Sequence, residues 1–385
     1  MDFDVSEDIQ SLDDSLRRLL AERYTFRQRR QYLAQAPGWS RDVWKAYAAL
    51  GVLGLTVPER CGGFGRGCAE TMLVLGSLGR ALALEPVLPH LLCIRILSLA
   101  DRADARVREL LCTSVAGDLV MAWAHPEGTA RNPRRTMNTT ASRESGSDTA
   151  CRISGIKHLV LAGDTADWLL VSVRIGDRPD APIGIALVNG AARGVSRRPY
   201  ELQDGTRAAD VRFDDAPGEL VVTPERARDA LAQVHATGVA AVCATAVGAM
   251  DGALATTVAY TRVRKQFGRA ISEFQVLQHR MAEMYIGLEQ SRSAAMLAAS
   301  VADHGDPERS RQLSVAKLVV GRHGRFVCQQ AVQLHGGIGM TEECVVAHYL
   351  RRQHVCESLF GDPYHHLSRL ASSACPSALP TRAFA

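Results

Sequence analysis

Aromatic residues are scarce in this sequence, and neither sign of charge dominates it. Tryptophan, tyrosine and phenylalanine make up 5% of the 385 residues, and the formal net charge is only +4. Arginines cluster at residues 27–30 and 131–135, but few aromatic side chains lie among them. Because nucleic-acid-binding surfaces usually carry a strong basic stripe, we expect no nucleic-acid partner. A few arginines fit a small polyanionic ligand better.

Motifs for metal binding, secretion and membrane insertion are also missing. The ten cysteines form no CxxC pair and no Cys/His spacing typical of a metal site. The N-terminus is acidic and lacks the charged-then-apolar order of a signal peptide. No run of about 18 uninterrupted apolar residues occurs, so no membrane span is expected. We therefore expect a cytoplasmic protein with free thiols and no bound metal.

Apolar residues recur at helical spacing in two long regions. The chain is longer than one compact domain usually is, so we expect two or three domains. Residues 1–117 are predicted to form an N-terminal helical domain, and residues 223–370 a C-terminal helical bundle. Within the latter, Met281, Met284 and Leu288 are spaced to share one helix face.

Short β-type runs fill the middle of the chain. Between residues 118 and 222, runs rich in Val, Ile, Leu and Ala alternate with Gly, Asp, Pro and Ser. No long amphipathic helix intervenes, which favours an antiparallel barrel or sandwich over parallel βαβ units. The end of the chain, residues 371–385, is rich in Ala, Ser and Pro and is predicted to be a flexible tail.

Two segments carry residue types suited to binding a dinucleotide. Residues 260–268 contain Arg264, Gln266 and Phe267, and a planar guanidinium can hold phosphate oxygens in a bidentate way. Taken alone, basic residues at a helix end are equally explained by the helix dipole. The second segment contains Gln333, Gly336 and Gly337, ahead of Gly339, and glycines let a backbone approach a ligand closely.

The glycine segment has two other interpretations when it is taken by itself. Glycines often end helices, so this segment is also explained as a helix C-cap. It is not the dinucleotide fingerprint of a parallel sheet, because a helix pattern and not a strand precedes it. Its joint occurrence with the Arg264 segment makes the signal specific.

Together, these segments and Gln275 resemble the acyl-CoA dehydrogenase family, and the resemblance covers nearly the whole chain. It implies an α+β fold with an N-terminal helical domain, a central antiparallel β-barrel or sandwich and a C-terminal four-helix bundle. It also implies FAD as cofactor. In relatives the arginine reaches across a subunit interface to the pyrophosphate of the neighbour's FAD. The position of Gln275 lies near the adenine in relatives, and the glycine turn packs on the pyrophosphate and adenosine.

The resemblance also implies partners and an assembly. The substrate would be an acyl-CoA or an acyl-carrier-protein thioester, and a dehydrogenase would pass electrons to an electron-transfer flavoprotein. The chain would form a homo- or hetero-oligomer, either a dimer or a tetramer, because the FAD site of relatives lies between protomers.

The sequence departs from the family pattern where relatives bind the flavin ring. A Thr-Glu-Pro or Ser-Glu-Pro segment is common there, and this chain has Ala124, His125 and Pro126. A hydroxyl that would hydrogen-bond flavin N5 is replaced by Leu161. His125 is a candidate flavin contact, and a structural histidine explains it equally well.

The catalytic glutamate of the family is also missing. Phe360 stands at its usual position, and Gly238 at the position that some relatives use instead. Asp362 is the candidate active-site carboxylate, although an aspartate ahead of Pro363 is also a good helix N-cap. Glu357 is predicted to lie at a solvated helix position.

The residues that follow Phe360 narrow the resemblance within the family. Residues 359–367, which include His365 and His366, resemble the small subunits of pimeloyl-CoA dehydrogenase and of bacterial two-component, steroid side-chain type acyl-CoA dehydrogenases. For the two histidines, structural packing or surface exposure is favoured over ligation.

Three functions remain open from the sequence. The first is a FAD-dependent acyl-CoA dehydrogenase with a rearranged base, acting on a bulky or dicarboxylic thioester. The second is a non-catalytic subunit that completes the FAD site of a partner. The third is a related fold used for another reaction, such as that of a dehydratase, cyclase or hydroxylase, because fold alone does not fix function.

Overall fold

A computed structural model describes residues 6–100, 105–127, 137–304 and 308–374. The arginines at 131–135 and the chain after residue 374 lie outside these ranges. The chain folds into two compact units. The first unit contains the residues before 75 and residues 83–238, and the second contains residues 75–82 and those from 239 onward. The three-domain division stays a prediction.

Helices occupy most of the described chain up to residue 115, as the periodicity predicts. They are α1 (Glu7–Arg23), α2 (Phe26–Leu33), α3 (Arg41–Ala49), α4 (Cys68–Ala81), α5 (Val87–Leu99) and α6 (Ala105–Val115). The start of α2 is fixed by a capping box, in which Thr25 accepts from the Gln28 backbone N–H and donates its own N–H to the Gln28 side chain. Leu16 and Leu20 form part of the buried face of α1.

A mixed sheet follows in the first unit and closes on itself. Its strands are β1 (Met121–Ala124), β2 (Thr140–Arg143), β3 (Ala150–Leu161), β4 (Trp168–Ile175), β5 (Ile183–Asn189), β6 (Val195–Glu201) and β7 (Arg207–Val222). The pairing runs from β4 through β2, β3, β7 and β5 back to β4, which confirms the barrel. Residues such as Ile153, Val171 and Phe213 fill its core.

The sheet differs from an antiparallel barrel at β4. There β1 and β2 both run parallel to β4, whereas the other pairs are antiparallel. The two strands share β4 in succession, since β1 pairs with Trp168–Val171 and β2 with Arg174 and Ile175. One edge of a long strand therefore serves two short strands of the same direction.

The second unit is helical, as expected. Its elements are the part of α4 from residue 75, the part of α7 (Pro224–Val263) from residue 239, the hairpin strands β8 (Lys265–Gln266) and β9 (Arg269–Ala270), and then α8 (Gln275–Ala302), α9 (Arg309–His335), α10 (Val345–Ser358) and α11 (Pro363–Ala374). Five of these described helices, α7 to α11, come from the region where a four-helix bundle was expected. Met284 and Leu288 are buried on α8, as their spacing predicts.

Glycines bring α4 and α7 into close contact within the second unit. An added Cβ at Gly79 would collide with the Thr245 carbonyl, and one at Gly248 with the Gly76 carbonyl. The two helix backbones therefore touch without intervening side chains.

One described helix, α7, has the length and apolar composition of a membrane span. However, 78% of its most apolar 18-residue window is buried inside the protein. Core helices of globular proteins share this composition.

Candidate functional site

The Arg264 segment forms a tight hairpin directly after α7. Lys265 pairs with Ala270 and Gln266 with Arg269, so the chain reverses at Phe267 and Gly268. Both turn residues have positive φ, 52° and 83°, which is the conformation of a type I′ turn. A phenylalanine is strained there, and its side chain is 92% exposed. The hairpin therefore projects an aromatic ring away from its own unit.

The glycine segment forms an open turn at the end of α9. Gly336 has φ 66° and ψ −146°, a combination that essentially only glycine adopts. A Cβ added to Gly336 or to Gly337 would meet no atom of the described residues within 4 Å. Gly337 has neither a positive φ nor a neighbour that would exclude a side chain. Nothing within the described chain thus requires glycine at 337, whereas a ligand lying on the turn would.

An aromatic pair places these two segments side by side. The rings of Tyr260 and His335 stack with centroids 4.3 Å apart and planes 20° from parallel. The Tyr260 hydroxyl donates to the His335 carbonyl at 3.4 Å. Tyr260 lies four residues before Arg264, and His335 directly precedes Gly336. The pair is not evident from the sequence, because no local pattern shows that residues 75 positions apart touch.

The predicted cofactor-binding residues share an exposed surface of the second unit. Arg264, Gln266, Gln275 and Gln333 are all exposed. Within the described residues the Arg264 guanidinium makes no hydrogen bond or ion pair, and Gln266 bonds only the neighbouring Lys265 carbonyl.

Gln275 begins α8 beside the same hairpin. Phe274, the residue before it, contacts the Phe267 ring edge-on and lies under the Arg269 guanidinium. A free guanidinium, exposed amides and an open glycine turn suit the phosphate and adenine groups of a dinucleotide such as FAD. The individual binding roles stay predictions.

The turn that holds Phe360 is fixed by a buried lysine. Lys317 of α9 is 5% exposed and donates to the carbonyls of Cys356, Glu357 and Gly361 at 2.8, 2.9 and 3.2 Å. Burial lowers the pKa of Lys317. Phe360 has φ 59°, in the left-handed region that bulky residues rarely adopt.

Asp362 has a structural role in the same turn. Its Oδ1 accepts a hydrogen bond from the backbone N–H of His365 at 2.8 Å, so it caps α11. Oδ2 makes no hydrogen bond within the described residues. The sequence offered both a cap and a catalytic carboxylate, and the cap is present.

The prediction for Glu357 was wrong. Its side chain is 9% exposed, and Oε1 accepts from Arg325 Nη2 at 2.7 Å. Glu357 faces α9 in the last turn of α10, where the helix–helix contact covers it. An isolated carboxylate would not be buried there, so Arg325 explains its position.

The two histidines of α11 pack as the sequence analysis favoured. His366 is 1% exposed, with Nε2 3.1 Å from the Phe360 carbonyl and Nδ1 3.1 Å from Ser314 Oγ. His365 contacts it edge-on.

The first unit also contains a buried ion pair close to the end of β1. Lys157 is fully buried, and its Nζ lies 2.6 Å from Glu127 Oε1 and 3.0 Å from Ser172 Oγ. Burial lowers the Lys157 pKa to about 8. Burial alone would raise the Glu127 pKa, but the Lys157 charge outweighs it and lowers this pKa to about 2. Both groups are therefore charged at neutral pH.

His125 adjoins this ion pair. Its Nδ1 lies 2.9 Å from Ser172 Oγ, and its ring stacks on Trp123 with the planes 4° apart. Burial, followed by the Lys157 charge, lowers the His125 pKa to about 3. The sequence gives one signal for such groups, since Lys317 stands between Val315-Ala316 and Leu318-Val319-Val320 in a mostly apolar run.

The family models and the similar proteins that match this chain all point to the same family. The model of the acyl-CoA dehydrogenase N-terminal domain matches residues 6–100, and that of the C-terminal domain residues 236–374. FadE28 of Mycobacterium tuberculosis, an acyl-CoA dehydrogenase, is 30% identical over 86% of this chain and 92% of its own length.

Two further proteins are similar over nearly their whole length. Benzylmalonyl-CoA dehydrogenase of Aromatoleum aromaticum is 28% identical over 91% of this chain and 93% of its own length. A variant of the Tcur3481-Tcur3483 steroid ACAD has a solved structure with a TM-score of 0.84. It is 27% identical, and the match covers 97% of this chain and 99% of that chain.

Proposed function

Because the chain belongs to the acyl-CoA dehydrogenase family, whose members are oxidoreductases, we propose that it is a FAD-dependent enzyme that desaturates the α,β bond of an acyl thioester. The family models and FadE28 confirm that the sequence resembles this family, whereas the narrower resemblance to small subunits stays a prediction. The observation that carries the proposal is the Tyr260–His335 stack, which joins the segment that contains Arg264 to the segment that contains the open Gly336–Gly337 turn.

Members of this family bind FAD, and bound FAD supplies the acceptor for the hydride that leaves the β-carbon. The chain's own residues would bind and orient it. Arg264 would neutralise the charge of the FAD pyrophosphate. By the resemblance to the family, this FAD is the one bound to a partner protomer. The turn at Gly336 and Gly337 lies against the dinucleotide because no Cβ intervenes. Gln275 and Gln333 offer amide groups to the adenine end.

We propose Asp362 as the carboxylate that removes the α-proton. Phe360 occupies the family's glutamate position. Asp362 lies two residues further along the same turn, which Lys317 holds by a hydrogen bond to the Gly361 carbonyl. One carboxylate oxygen is used as the helix cap, which leaves Oδ2 for a proton. A base must come within hydrogen-bond reach of the α-carbon in the substrate complex.

The substrate is proposed to be a bulky CoA thioester, with an electron-transfer flavoprotein as the electron acceptor. Relatives named for benzylmalonyl-CoA and for steroids support a bulky acyl group. A carrier-protein thioester is the alternative.

A non-catalytic subunit of a two-component enzyme is the second candidate. The observation that favours it is Phe360, an apolar residue at the family's glutamate position. The Arg264 hairpin would then complete the FAD site of a different partner chain. Protein purified alone would be colourless and would acquire flavin only with that partner.

Flavin content and anaerobic bleaching test the proposal. Purified protein should be yellow, and an acyl-CoA added without oxygen should bleach the flavin. Arg264→Ala and Gly337→Ala should each lose flavin. Since none of the described residues would touch a Cβ at 337, Gly337→Ala should keep the thermal unfolding midpoint of the flavin-free protein. Unchanged flavin content in both variants would remove these residues from the FAD site.

The base is tested by Asp362→Asn, because asparagine retains the helix cap but cannot take a proton. Bleaching should slow by at least about 100-fold while FAD remains bound. Asp362→Ser, which also caps, should match Asp362→Asn. Full bleaching in either variant would leave Asp362 with the cap alone.

A further inference from the structure

The buried pair of Lys157 and Glu127 determines how its neighbours share protons. Lys157 Nζ points at Glu127 Oε1, at Ser172 Oγ at 3.0 Å and at the His125 carbonyl at 3.3 Å. An ammonium group has three protons and no lone pair, so it donates to all three. Ser172 Oγ is therefore an acceptor toward Lys157.

The Ser172 hydroxyl has one proton of its own to place. Within the described residues its remaining neighbour is His125 Nδ1, at 2.9 Å. Because Ser172 is fully buried, an unused hydroxyl proton would be unfavourable. The hydroxyl thus donates to Nδ1, and the imidazole carries its proton on Nε2.

His125 is also held neutral and rigid. Burial and the adjacent Lys157 charge lower its pKa to about 3, so the ring stays uncharged at neutral pH. The parallel contact with Trp123, at 5.3 Å between centroids, fixes the plane of the ring. Only the Nε2–H group remains for an external partner.

That group is accessible. His125 follows the last residue of β1, and its Nε2 hydrogen-bonds to none of the described residues. Nε2 is not one of the fully buried polar atoms that lack a hydrogen-bond partner, so it keeps some exposure to solvent. A rigid, neutral and unused donor is suited to an acceptor atom of a bound molecule.

We infer that His125 donates a hydrogen bond from Nε2 to a carbonyl or ring-nitrogen acceptor of the bound flavin or thioester. The inference rests on the proposed function, which supplies both molecules. Leu161, which the resemblance places near flavin N5, has no hydroxyl to donate, so the imidazole provides a donor that this residue does not. Ser172 and Lys157 are positioning residues, because they act through the ring.

The test compares His125→Phe, which removes the donor and keeps a ring, with Ser172→Ala, which removes the partner of Nδ1. His158→Phe is the matched control, since His158 is the neighbour of Lys157 but pairs on the outside with Asp210. The visible spectrum and the midpoint potential of bound flavin report on a flavin acceptor. Calorimetric titration with octanoyl-CoA reports on a thioester acceptor.

We expect His125→Phe to change at least one of these readouts. A shift in the spectrum and potential assigns the acceptor to flavin. A loss of about tenfold in octanoyl-CoA affinity, with the flavin unchanged, assigns it to the thioester. Ser172→Ala should change the same readout by less, and His158→Phe should match the wild type.

If His125→Phe retains the wild-type spectrum, potential and octanoyl-CoA affinity, the inference is wrong. Should that variant not fold, His125→Ala serves the same comparison. Wild-type protein that binds no flavin would instead contradict the proposed function, and the octanoyl-CoA titration alone would then decide the role of His125.

Discussion

At the scale of single residues, burial changes the chemistry of groups whose sequence context is unremarkable. Glu85 follows α4 and is buried against Tyr47, whose hydroxyl donates to Oε2 at 3.2 Å, and Ser40, whose N–H donates to Oε1. Desolvation raises its pKa from 4.5 to about 7, although these hydrogen bonds favour the charged form. The two hydrogen bonds to the Glu85 carboxyl therefore do not compensate for its loss of water on burial.

This pKa predicts that Glu85 makes the protein less stable as pH rises. Below the pKa of the unfolded state, the Glu85 carboxyl is protonated in both the folded and the unfolded protein, so its burial does not lower stability through ionisation. Between 4.5 and about 7 the unfolded state ionises first, so stability falls, and above that range the full cost of about 3 kcal/mol remains. Glu85→Gln should remove this dependence.

Chemical unfolding at about pH 5 and about pH 8 measures the effect. The free energy of unfolding of Glu85→Gln, relative to wild type, should rise between the two pH values. Glu59→Gln, which alters an exposed carboxylate, is the control and should show no such rise. A constant difference for Glu85→Gln would contradict the buried titration.

At the scale of elements, the local sequence pattern predicted which helices and strands are present better than it predicted their lengths. The sequence predicts only short β-type runs in the middle of the chain, but β7 extends over the 16 residues Arg207–Val222. The polar strand β6 was missed, because it pairs with β7 alone and has solvent on much of its surface. Alternation of apolar and polar residues marks only strands that cover a core.

At the same scale, the three hydrogen bonds from Lys317 to the Phe360 turn predict that a substitution of Lys317 lowers stability strongly. Lys317→Met fills a similar volume but leaves the carbonyls of Cys356, Glu357 and Gly361 without their donor. We expect a loss of roughly 2–4 kcal/mol of stability, measured by chemical unfolding, because buried acceptors lose their hydrogen bonds.

The matched control is Arg322→Met, which changes an exposed cation of the same helix. It should stay within about 0.5 kcal/mol of wild type. Equal stability of the two variants would show that water replaces the ammonium group.

At the scale of the whole molecule, exposed apolar side chains concentrate at the hairpin of the second unit. Val263 is 75%, Phe267 92%, Val276 61% and Met340 75% exposed. These residues lie within a few positions of Arg264, Gln275 and Gly336. Exposed apolar side chains grouped in this way are typical of subunit interfaces, which agrees with an oligomer.

Phe267→Asn tests that interface without disturbing the turn. Asparagine ahead of Gly268 is favoured in a type I′ turn, so the hairpin should persist. Losing the exposed ring, which association would bury, should weaken association by at least about tenfold, as measured by sedimentation velocity. Phe267→Tyr keeps the ring and should associate as the wild type does; equal association of all three proteins would place the interface elsewhere.

The sequence by itself determined the order of helical, β and helical regions and the residues that mark the family. Both depend on local periodicity and on short motifs, which need no knowledge of distant contacts. Only the tertiary structure decided that Tyr260 stacks on His335, that Glu357 is buried and that Lys317 clamps the Phe360 turn. Such features depend on which distant residues meet and on how much water they lose, and neither quantity is recorded in a local pattern.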